Sequence, residues 1–212
     1  MLIGMFDSPF VRRVAVSMKL LKISFEHGNW SVGKDQERIR EFNPLGRVPA
    51  LVLDDGSVII ESAAILDYLD ENAGPERALL PATGPARREA LRLIALAVGA
   101  AEKGRDIVYE QAFRPPEKRH APWVERCKAQ VHGALRELEQ HCVRTPANKW
   151  LVGDRLTQAD ITLACVSTFL GDSAQSAAPL DTCPALRKFV SRCESLPEFR
   201  ATYAPWDAPA AR

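Results

Sequence analysis

The sequence has no excess of charge of either sign. Its 212 residues include 28 Lys and Arg against 27 Asp and Glu, a formal net charge of +1 at pH 7, and they contain no long run of like charge. Nucleic acids and anionic membrane surfaces are bound by proteins with a basic face or tail. The composition therefore indicates no nucleic acid as a partner and favours a small, roughly neutral molecule.

Long hydrophobic runs are also missing. The longest apolar stretches, such as residues 91–101, are short and interrupted, whereas a membrane-spanning helix needs about 20 consecutive apolar residues. The N-terminus shows no basic segment followed by an apolar core and a cleavage site. We therefore expect no membrane partner and a cytoplasmic location.

Cysteine is absent from residues 1–126, so the first half of the chain has no thiol nucleophile. Free cysteines are most often small buried residues, and we expect inert thiols in the second half, which has five without a C-x-x-C pair: Cys127, Cys142, Cys165, Cys183 and Cys193. Metal-ligand spacing is also absent among the four histidines, His27, His120, His132 and His141. We predict no metal site.

The first 76 residues alternate between strand and helix patterns. Short apolar runs predict strands at residues 2–6 and 24–28. The helix between them starts at Ser8-Pro9 and has one apolar stripe: Val11, Val14, Ala15, Met18 and Leu21. Because Arg12 and Arg13 lie off that stripe, we expect this helix to pack only one face, on a sheet.

A hairpin and a third helix follow in the same domain. Residues 34–42 indicate a short second helix. The run VPALVLDDGSVIIES holds two strand patterns joined by Asp55-Gly56, a turn in which glycine accepts positive φ. Ser62 can cap the next helix, which Gly74-Pro75 ends. The predicted order is βαβαββα.

Strand patterns disappear after residues 74–86, which are rich in glycine and proline. The remainder reads as long amphipathic helices, and Thr157 with Asp160 resembles a capping box at the start of one of them. We predict an α/β domain at 1–76, a linker at 77–86 and an all-helical domain at 87–212.

Ser8 has two candidate uses. Serine is a favoured helix N-cap and proline a favoured first helical residue, so a helix cap is the first. The second is stabilisation of a bound anion, which a hydroxyl at a helix N-terminus achieves by its hydrogen bond and through the helix dipole. The stretch around Ser8 leaves both uses open.

Four motifs together resemble the cytosolic glutathione transferase family. They are SPFVRRV at 8–14, FNPLGRVPAL at 42–51, ESAAILDYL at 61–69 and GDRLTQADI at 153–161. They occur in the order and at the spacing of that family, over nearly the whole chain. The resemblance implies a thioredoxin-like N-terminal domain that binds glutathione, an all-helical C-terminal domain that shapes an electrophile pocket, and a homodimer.

The reaction type follows from the resemblance together with two absences. Relatives of the cysteine type use a thiol near the first strand and others use a tyrosine, and this sequence has neither there. The resemblance to the bacterial, serine-type members therefore assigns Ser8 as the residue that stabilises the glutathione thiolate. It donates a hydrogen bond to the sulfur and forms no covalent bond.

The resemblance also implies the residues that hold glutathione. Val48 and Pro49 match the turn that presents backbone groups to the cysteinyl part, if the bond between them is cis, which the sequence does not show. Glu61 and Ser62 match the pair that holds the γ-glutamyl end. Arg47 stands where lysine or glutamine is common in relatives, and its guanidinium can bind the glycyl carboxylate or face solvent.

The electrophile is expected to meet an apolar wall. Its candidate residues are the aromatic side chains near the first helix and in the helical domain: Phe10, Tyr109, Phe113, Trp123 and Trp206. The expected function is conjugation of glutathione to a small hydrophobic electrophile. Glutathione-dependent isomerisation, ether cleavage or dehalogenation on the same scaffold, and a non-catalytic binding or regulatory role, remain alternatives.

Overall fold

A computed structural model describes residues 1–173 and 178–206. The N-terminal elements run in the order β1, α1, β2, α2, β3, β4, α3, as the sequence predicts. Their bounds are β1 Leu2–Ile3, α1 Pro9–Leu20, β2 His27–Gly28, α2 Gln36–Arg40, β3 Ala50–Val52, β4 Val58–Ile60 and α3 Ser62–Ala73. The βαβαββα pattern is confirmed.

The four strands form one mixed sheet in the order β2-β1-β3-β4. β1 is parallel to β2 and antiparallel to β3, with Leu2 opposite both His27 and Leu51. β3 and β4 form the predicted hairpin, in which Ala50 pairs with Ile60. α1 follows β1, which is one of the two inner strands of the sheet. Ser8 therefore lies in the loop that leaves the C-terminal end of β1.

β1 is shorter than the predicted 2–6, and β2 is shorter than the predicted 24–28. Gly4 ends β1 with φ of +128°, in a region that favours glycine. A Cβ atom there would lie 2.5 Å from Cγ2 of Val11 and 2.8 Å from Cβ of Val48. The glycine therefore lets the start of α1 approach the turn before β3.

The second part of the described chain is helical, as predicted. Its helices are α4 Gly84–Ala112, α5 Ala121–Arg144, α6 Gln158–Asp172, α7 Pro184–Glu194 and α8 Pro197–Arg200, with 3-10 turns at Pro116–Lys118 and Leu180–Thr182. Within the described residues, no helix has the length and apolar character needed to cross a membrane.

The predicted capping box is present at the start of α6. The Thr157 hydroxyl accepts a hydrogen bond from the Ala159 N–H at 3.3 Å, and Asp160 Oδ2 accepts one from the Thr157 N–H at 2.7 Å. Oδ1 of Asp160 also accepts from the Leu151 N–H at 2.8 Å. Asp160 therefore joins the preceding loop to the helix it caps.

α1 is buried on more than the one face that its apolar stripe predicts. Arg12 and Arg13, which lie off the stripe, are only 2% and 3% exposed. Helices α6 and α8 pack against α1 in addition to the sheet domain, and Gln158 Nε2 at the start of α6 donates to Ser17 Oγ at 2.6 Å. The one-face expectation was wrong because it considered only the sheet.

Arg12 links α1 to the end of the described chain. Its Nη1 and Nη2 donate to the two carboxylate oxygens of Glu194 at 2.7 and 2.6 Å. Nη2 also donates to the Phe199 carbonyl at 3.0 Å, and Nε donates to the Thr202 carbonyl at 3.1 Å. One buried guanidinium thus joins the first helix to α7, α8 and the segment that leads to Trp206.

Candidate functional site

A cavity of about 980 Å³ lies between the sheet part and the helical part. Its sheet side is formed by the loop before α1, the segment after β2 and the turn before β3, and its helical side by α4, α6 and the segment that ends at Trp206. Seven of the sequence-predicted site residues line it: Ser8, Phe10, Arg47, Val48, Tyr109, Phe113 and Trp206. The cavity thus combines polar groups with aromatic rings.

Ser8 occupies the N-cap position of α1 without using its hydroxyl as a cap. Its carbonyl accepts the first helical hydrogen bond, from the Arg12 N–H at 2.9 Å, while its side chain makes no capping bond. Pro9 takes the first helical position, as expected. Because Ser8 lines the cavity, its hydroxyl proton is available to a ligand there.

Val48 brings backbone groups to the same cavity. The Val48–Pro49 peptide bond is cis. Neither the N–H nor the carbonyl of Val48 is hydrogen-bonded within the described part of the chain. A peptide-like ligand that lies extended along this turn can pair with both groups in the manner of an added strand.

Arg47 and Glu61 are closer to each other than the sequence suggests. Their Nη1 and Oε1 atoms lie 3.6 Å apart, and the side chains are 45% and 50% exposed. An ion pair this exposed contributes about 0–1 kcal/mol, so a ligand with its own carboxylate and ammonium can replace it. Glu61 also has φ of 70°, which non-glycine residues rarely adopt.

Ser62 does not cap α3 as predicted. It is the first residue of the helix, Glu61 holds the N-cap position, and no side chain makes a capping bond there. The Ser62 hydroxyl instead accepts a hydrogen bond from Arg13 Nη2 at 2.7 Å. Since Arg13 fills the acceptor side of this hydroxyl, its proton remains to be donated to a group at the helix N-terminus.

Arg13 is a buried cation beneath this helix end. Burial lowers its pKa from 12.5 to about 10, partly opposed by Cys165 and Glu61, so the guanidinium is charged at neutral pH. Its Nη1 donates to Thr162 Oγ1 at 3.4 Å, and its Nε has no hydrogen-bond partner within the described residues. Arg13 and the dipole of α3 together favour an anion next to Ser62.

The helical wall of the cavity is mainly aromatic. Tyr109 on α4 and Phe113, the residue directly after α4, meet edge to face with ring centroids 5.0 Å apart, and Phe169 on α6 meets Trp206 in the same way at 5.4 Å. Burial raises the pKa of Tyr109, so its phenol stays protonated at neutral pH. Such a surface accepts an apolar ligand and offers one hydroxyl donor.

Four predicted residues do not line the cavity. Trp123 lies elsewhere, 38% exposed, with Lys103 Nζ 5.1 Å from its ring centroid. Glu61 and Ser62 are also outside the lining, although Glu61 reaches it through Arg47. Pro49 follows the lining residue Val48. Sequence periodicity could not place Trp123, because an aromatic residue near a helix start can face either neighbour.

Several cavity residues were missed by the sequence analysis. They are Trp30, Lys34, Arg105, Asp106 and Phe169, and buried Arg13 supports the site from below. Trp30 and Lys34 lie in a segment without regular structure between β2 and α2. The sequence analysis identified Tyr109 and Phe113 from their aromatic side chains. Arg105 lies one helical turn before Tyr109, and this spacing could have predicted that it lies on the same face of the helix.

The cysteines and histidines do not add chemistry to this cavity. All five cysteines are free and buried, and burial raises the pKa of Cys142 and of Cys165 to about 12. Among residues 1–173 and 178–206, no group of three or more His, Cys, Asp or Glu side chains is arranged to hold a metal ion.

Comparison with known protein families gives two matches along the chain. Residues 2–77 match the model of the glutathione S-transferase N-terminal domain, and residues 108–197 match that of the glutathione S-transferase C-terminal domain. The first match contains the sheet and α1–α3, and the second covers the helical part from the end of α4 to the start of α8.

Individual proteins show the same similarity. The chain is 29% identical over 205 residues to the "Uncharacterized GST-like protein YibF" of Escherichia coli (strain K12), covering 96% of this chain and 98% of that one. It is 31% identical over 166 residues to maleylacetoacetate isomerase of Rattus norvegicus, covering 75% and 72%. A crystal structure of a glutathione S-transferase from Methylobacillus flagellatus, with glutathione bound, superimposes with a TM-score of 0.87 at 27% identity, covering 97% and 98%.

Proposed function

This chain belongs to the glutathione S-transferase family, and from that premise we propose that it joins the thiolate of bound glutathione to a small hydrophobic electrophile. The observation that carries this proposal is the Ser8 hydroxyl, which lines the cavity at the N-terminus of α1 and makes no capping bond. Glutathione is the co-substrate, and its reacting atom is the sulfur.

One hydroxyl hydrogen bond and one helix N-terminus together can supply the free energy needed to lower the thiol pKa of bound glutathione. A thiol of pKa about 8.5 is roughly 3% ionised at pH 7, and lowering the pKa to about 6.5 raises the thiolate fraction roughly 25-fold, for about 2.7 kcal/mol. A hydrogen bond to a charged acceptor contributes about 1.5–3 kcal/mol, and a helix N-terminus about 0.3–1 kcal/mol.

The other cavity groups fit the remainder of glutathione. The unpaired N–H and carbonyl of Val48 suit its cysteinyl backbone, and the N-terminus of α3, with Ser62 above Arg13, suits the γ-glutamyl carboxylate. In this arrangement Glu61 takes the γ-glutamyl ammonium and Arg47 the glycyl carboxylate, so that the Arg47–Glu61 pair opens on binding. Phe10, Tyr109, Phe113 and Trp206 then face the electrophile.

Calorimetry and a conjugation assay test this function. Glutathione titrated into the protein is expected to bind, and 1-chloro-2,4-dinitrobenzene with glutathione is expected to give a conjugate at a rate above that of the uncatalysed reaction. Binding without turnover of this or any other electrophile would favour a non-catalytic role. An absence of glutathione binding would exclude the proposal.

Isomerisation is the second candidate, supported by the 31% identity to maleylacetoacetate isomerase of Rattus norvegicus. The two reactions share the thiolate but differ in products, since a conjugate retains glutathione and an isomerase returns it. Reactions with a cis-configured unsaturated diacid distinguish them, with mass spectrometry to detect a glutathione adduct and proton NMR to detect conversion of the cis to the trans isomer. Geometric isomerisation with glutathione unconsumed supports the second candidate, and a stable adduct supports the first.

We also propose a homodimer in the cytoplasm. Family membership supports the dimer, and the apolar side chains of Leu45 and Leu91, 60% and 44% exposed, are available for such a contact. Five buried cysteines without a disulfide suit a reducing compartment. Sedimentation at micromolar concentration is expected to give twice the chain mass of 23.4 kDa; a species of single mass would contradict the dimer.

A further inference from the structure

The helical wall of the cavity is not uniformly apolar. Among the lining residues on α4 and directly after it, Tyr109 and Phe113 are aromatic, whereas Arg105 and Asp106 are charged. The Arg105 guanidinium lies 5.8 Å from the centroid of the Tyr109 ring. A purely hydrophobic electrophile makes no use of a cation in this position.

The neighbouring carboxylate engages only part of the Arg105 guanidinium. Asp106 Oδ2 accepts from Lys103 Nζ at 2.9 Å, and Oδ1 accepts from Arg105 Nη2 at 3.2 Å. One carboxylate therefore serves two cations. Nε and Nη1 of Arg105 make no hydrogen bond within the described residues, and only Arg105 of the two cations lines the cavity.

The Arg105 side chain is partly shielded from solvent. It is 27% exposed, and so is that of Lys103, so the guanidinium is partly shielded without being buried. A charge-assisted hydrogen bond is stronger in such a place than at an open surface. Planar guanidinium groups match the two oxygens of a carboxylate, which lysine does not.

We infer that Arg105 selects electrophiles that carry a carboxylate, with their aromatic or aliphatic part against Tyr109 and Phe113 and their anionic end at the guanidinium. The second substrate is thus an amphipathic acid, in addition to the glycyl and γ-glutamyl carboxylates of glutathione. This inference rests on the proposed function, because it assigns the electrophile end of a cavity whose other end holds glutathione.

Binding of two matched conjugates tests the inference without catalysis. S-benzylglutathione and S-(4-carboxybenzyl)glutathione differ only in one carboxylate, and calorimetry gives the affinity of the protein for each. Arg105→Gln is expected to weaken binding of the carboxybenzyl conjugate by about tenfold or more, as the loss of a charge-assisted hydrogen bond implies, and to change binding of the benzyl conjugate less than twofold.

Two further variants separate charge at the cavity from charge nearby. Lys103 is the other partner of Asp106 and does not line the cavity. Lys103→Gln is therefore expected to leave the difference in affinity between the two conjugates unchanged. Arg105→Lys keeps the positive charge but loses the planar pair of N–H donors. It is expected to bind the carboxybenzyl conjugate more tightly than Arg105→Gln does and less tightly than the unaltered protein. Thermal melting of each variant checks that the protein is folded.

The possible results are distinct. Loss of affinity confined to the carboxybenzyl conjugate in Arg105→Gln supports the inference. Equal effects on both conjugates, no effect on either, or the same selective loss in Lys103→Gln overturn it, while the glutathione site stands. If the unaltered protein binds neither conjugate nor glutathione itself, the proposed function fails and this inference falls with it.

Discussion

At the scale of single residues, two serines stand at helix N-termini and neither uses its hydroxyl as a cap. Ser8 lines the cavity, and Ser62 accepts a hydrogen bond from Arg13. Ser8 is the N-cap residue of α1, and Ser62 is the first residue of α3, after the N-cap residue Glu61. Serine at a helix start is a favoured cap, so only the neighbours of each hydroxyl reveal another use. Two predictions belong to this scale.

Replacement of Ser8 by alanine removes the proposed donor to the glutathione sulfur. We expect the thiol pKa of bound glutathione to rise by about one to two units, as the loss of a hydrogen bond to a charged acceptor implies. Ultraviolet absorbance of the thiolate as a function of pH measures it. Ser57→Ala, in the exposed β3–β4 turn, serves as the control. An unchanged pKa in Ser8→Ala contradicts the assigned role.

The five cysteines are expected to be unreactive in the folded protein. Burial raises the pKa of Cys142 and of Cys165 to about 12, so the thiolate that a disulfide reagent needs is scarce at pH 8. Titration with Ellman's reagent should detect almost no thiol in the native state and five after unfolding in guanidinium chloride. Rapid native labelling of one or more thiols would contradict the prediction.

At the scale of elements, the loop before α6 depends on one carboxylate. Both oxygens of Asp160 are used: Oδ1 accepts from Leu151 N–H at 2.8 Å, and Oδ2 from Thr157 N–H at 2.7 Å and from the Thr157 hydroxyl at 2.8 Å. Asparagine has the same shape as this aspartate but only one acceptor oxygen. Its amide NH2 group would therefore face at least one of the two backbone N–H groups, which would lose its acceptor.

Asp160→Asn is therefore expected to lower the free energy of unfolding by about 2 kcal/mol, the cost of a buried donor left without an acceptor. Urea denaturation followed by circular dichroism measures it. Asp154→Asn is the matched control, since Asp154 is exposed and pairs with Lys149, and its expected change is below about 0.5 kcal/mol. Equal changes in the two variants would contradict the importance of the capping box.

Most elements could be predicted from the sequence, and their lengths less well. Pro9 at the start of α1, the Asp55-Gly56 turn and the Thr157–Asp160 pair are signals within a few residues, and each occurs where predicted. α4, in contrast, begins at Gly84, inside the predicted linker 77–86. β1 ends earlier than its apolar run because Gly4 turns the chain toward Val11 and Val48. Val48 lies more than forty residues further along the chain, so its contact with Gly4 cannot be predicted from the apolar run at residues 2–6.

At the scale of the whole molecule, Arg12 holds the two parts of the chain together. The side chains of Arg12 and Glu194 are 3% and 24% exposed, and the guanidinium also binds the carbonyls of Phe199 and Thr202. Breaking a buried pair by removing one partner leaves the other charge without compensation. The segment that carries Trp206 to the cavity begins directly after these contacts.

Arg12→Met is expected to lower the free energy of unfolding by about 3 kcal/mol, the lower end of the range for a broken buried ion pair. The substitution is also expected to raise the KM for the electrophile more than that for glutathione, because Trp206 lines the part of the cavity that we propose for the electrophile. Denaturation and steady-state kinetics measure both. Arg187→Met, which disrupts the exposed pair with Asp181, should change neither; a similar loss there would contradict the special role of Arg12.

The sequence by itself determined the order of the elements, the change from α/β to all-helical structure, the β3–β4 turn and the capping box at Thr157 and Asp160. These features depend on hydrogen bonds and backbone preferences among residues close in the chain. The tertiary structure alone decided that α1 is buried on a second face, that Arg13 lies beneath Ser62, that Trp123 faces away and that Arg105 lines the cavity. Those outcomes depend on which helix faces meet, and residues far apart in the chain supply those faces.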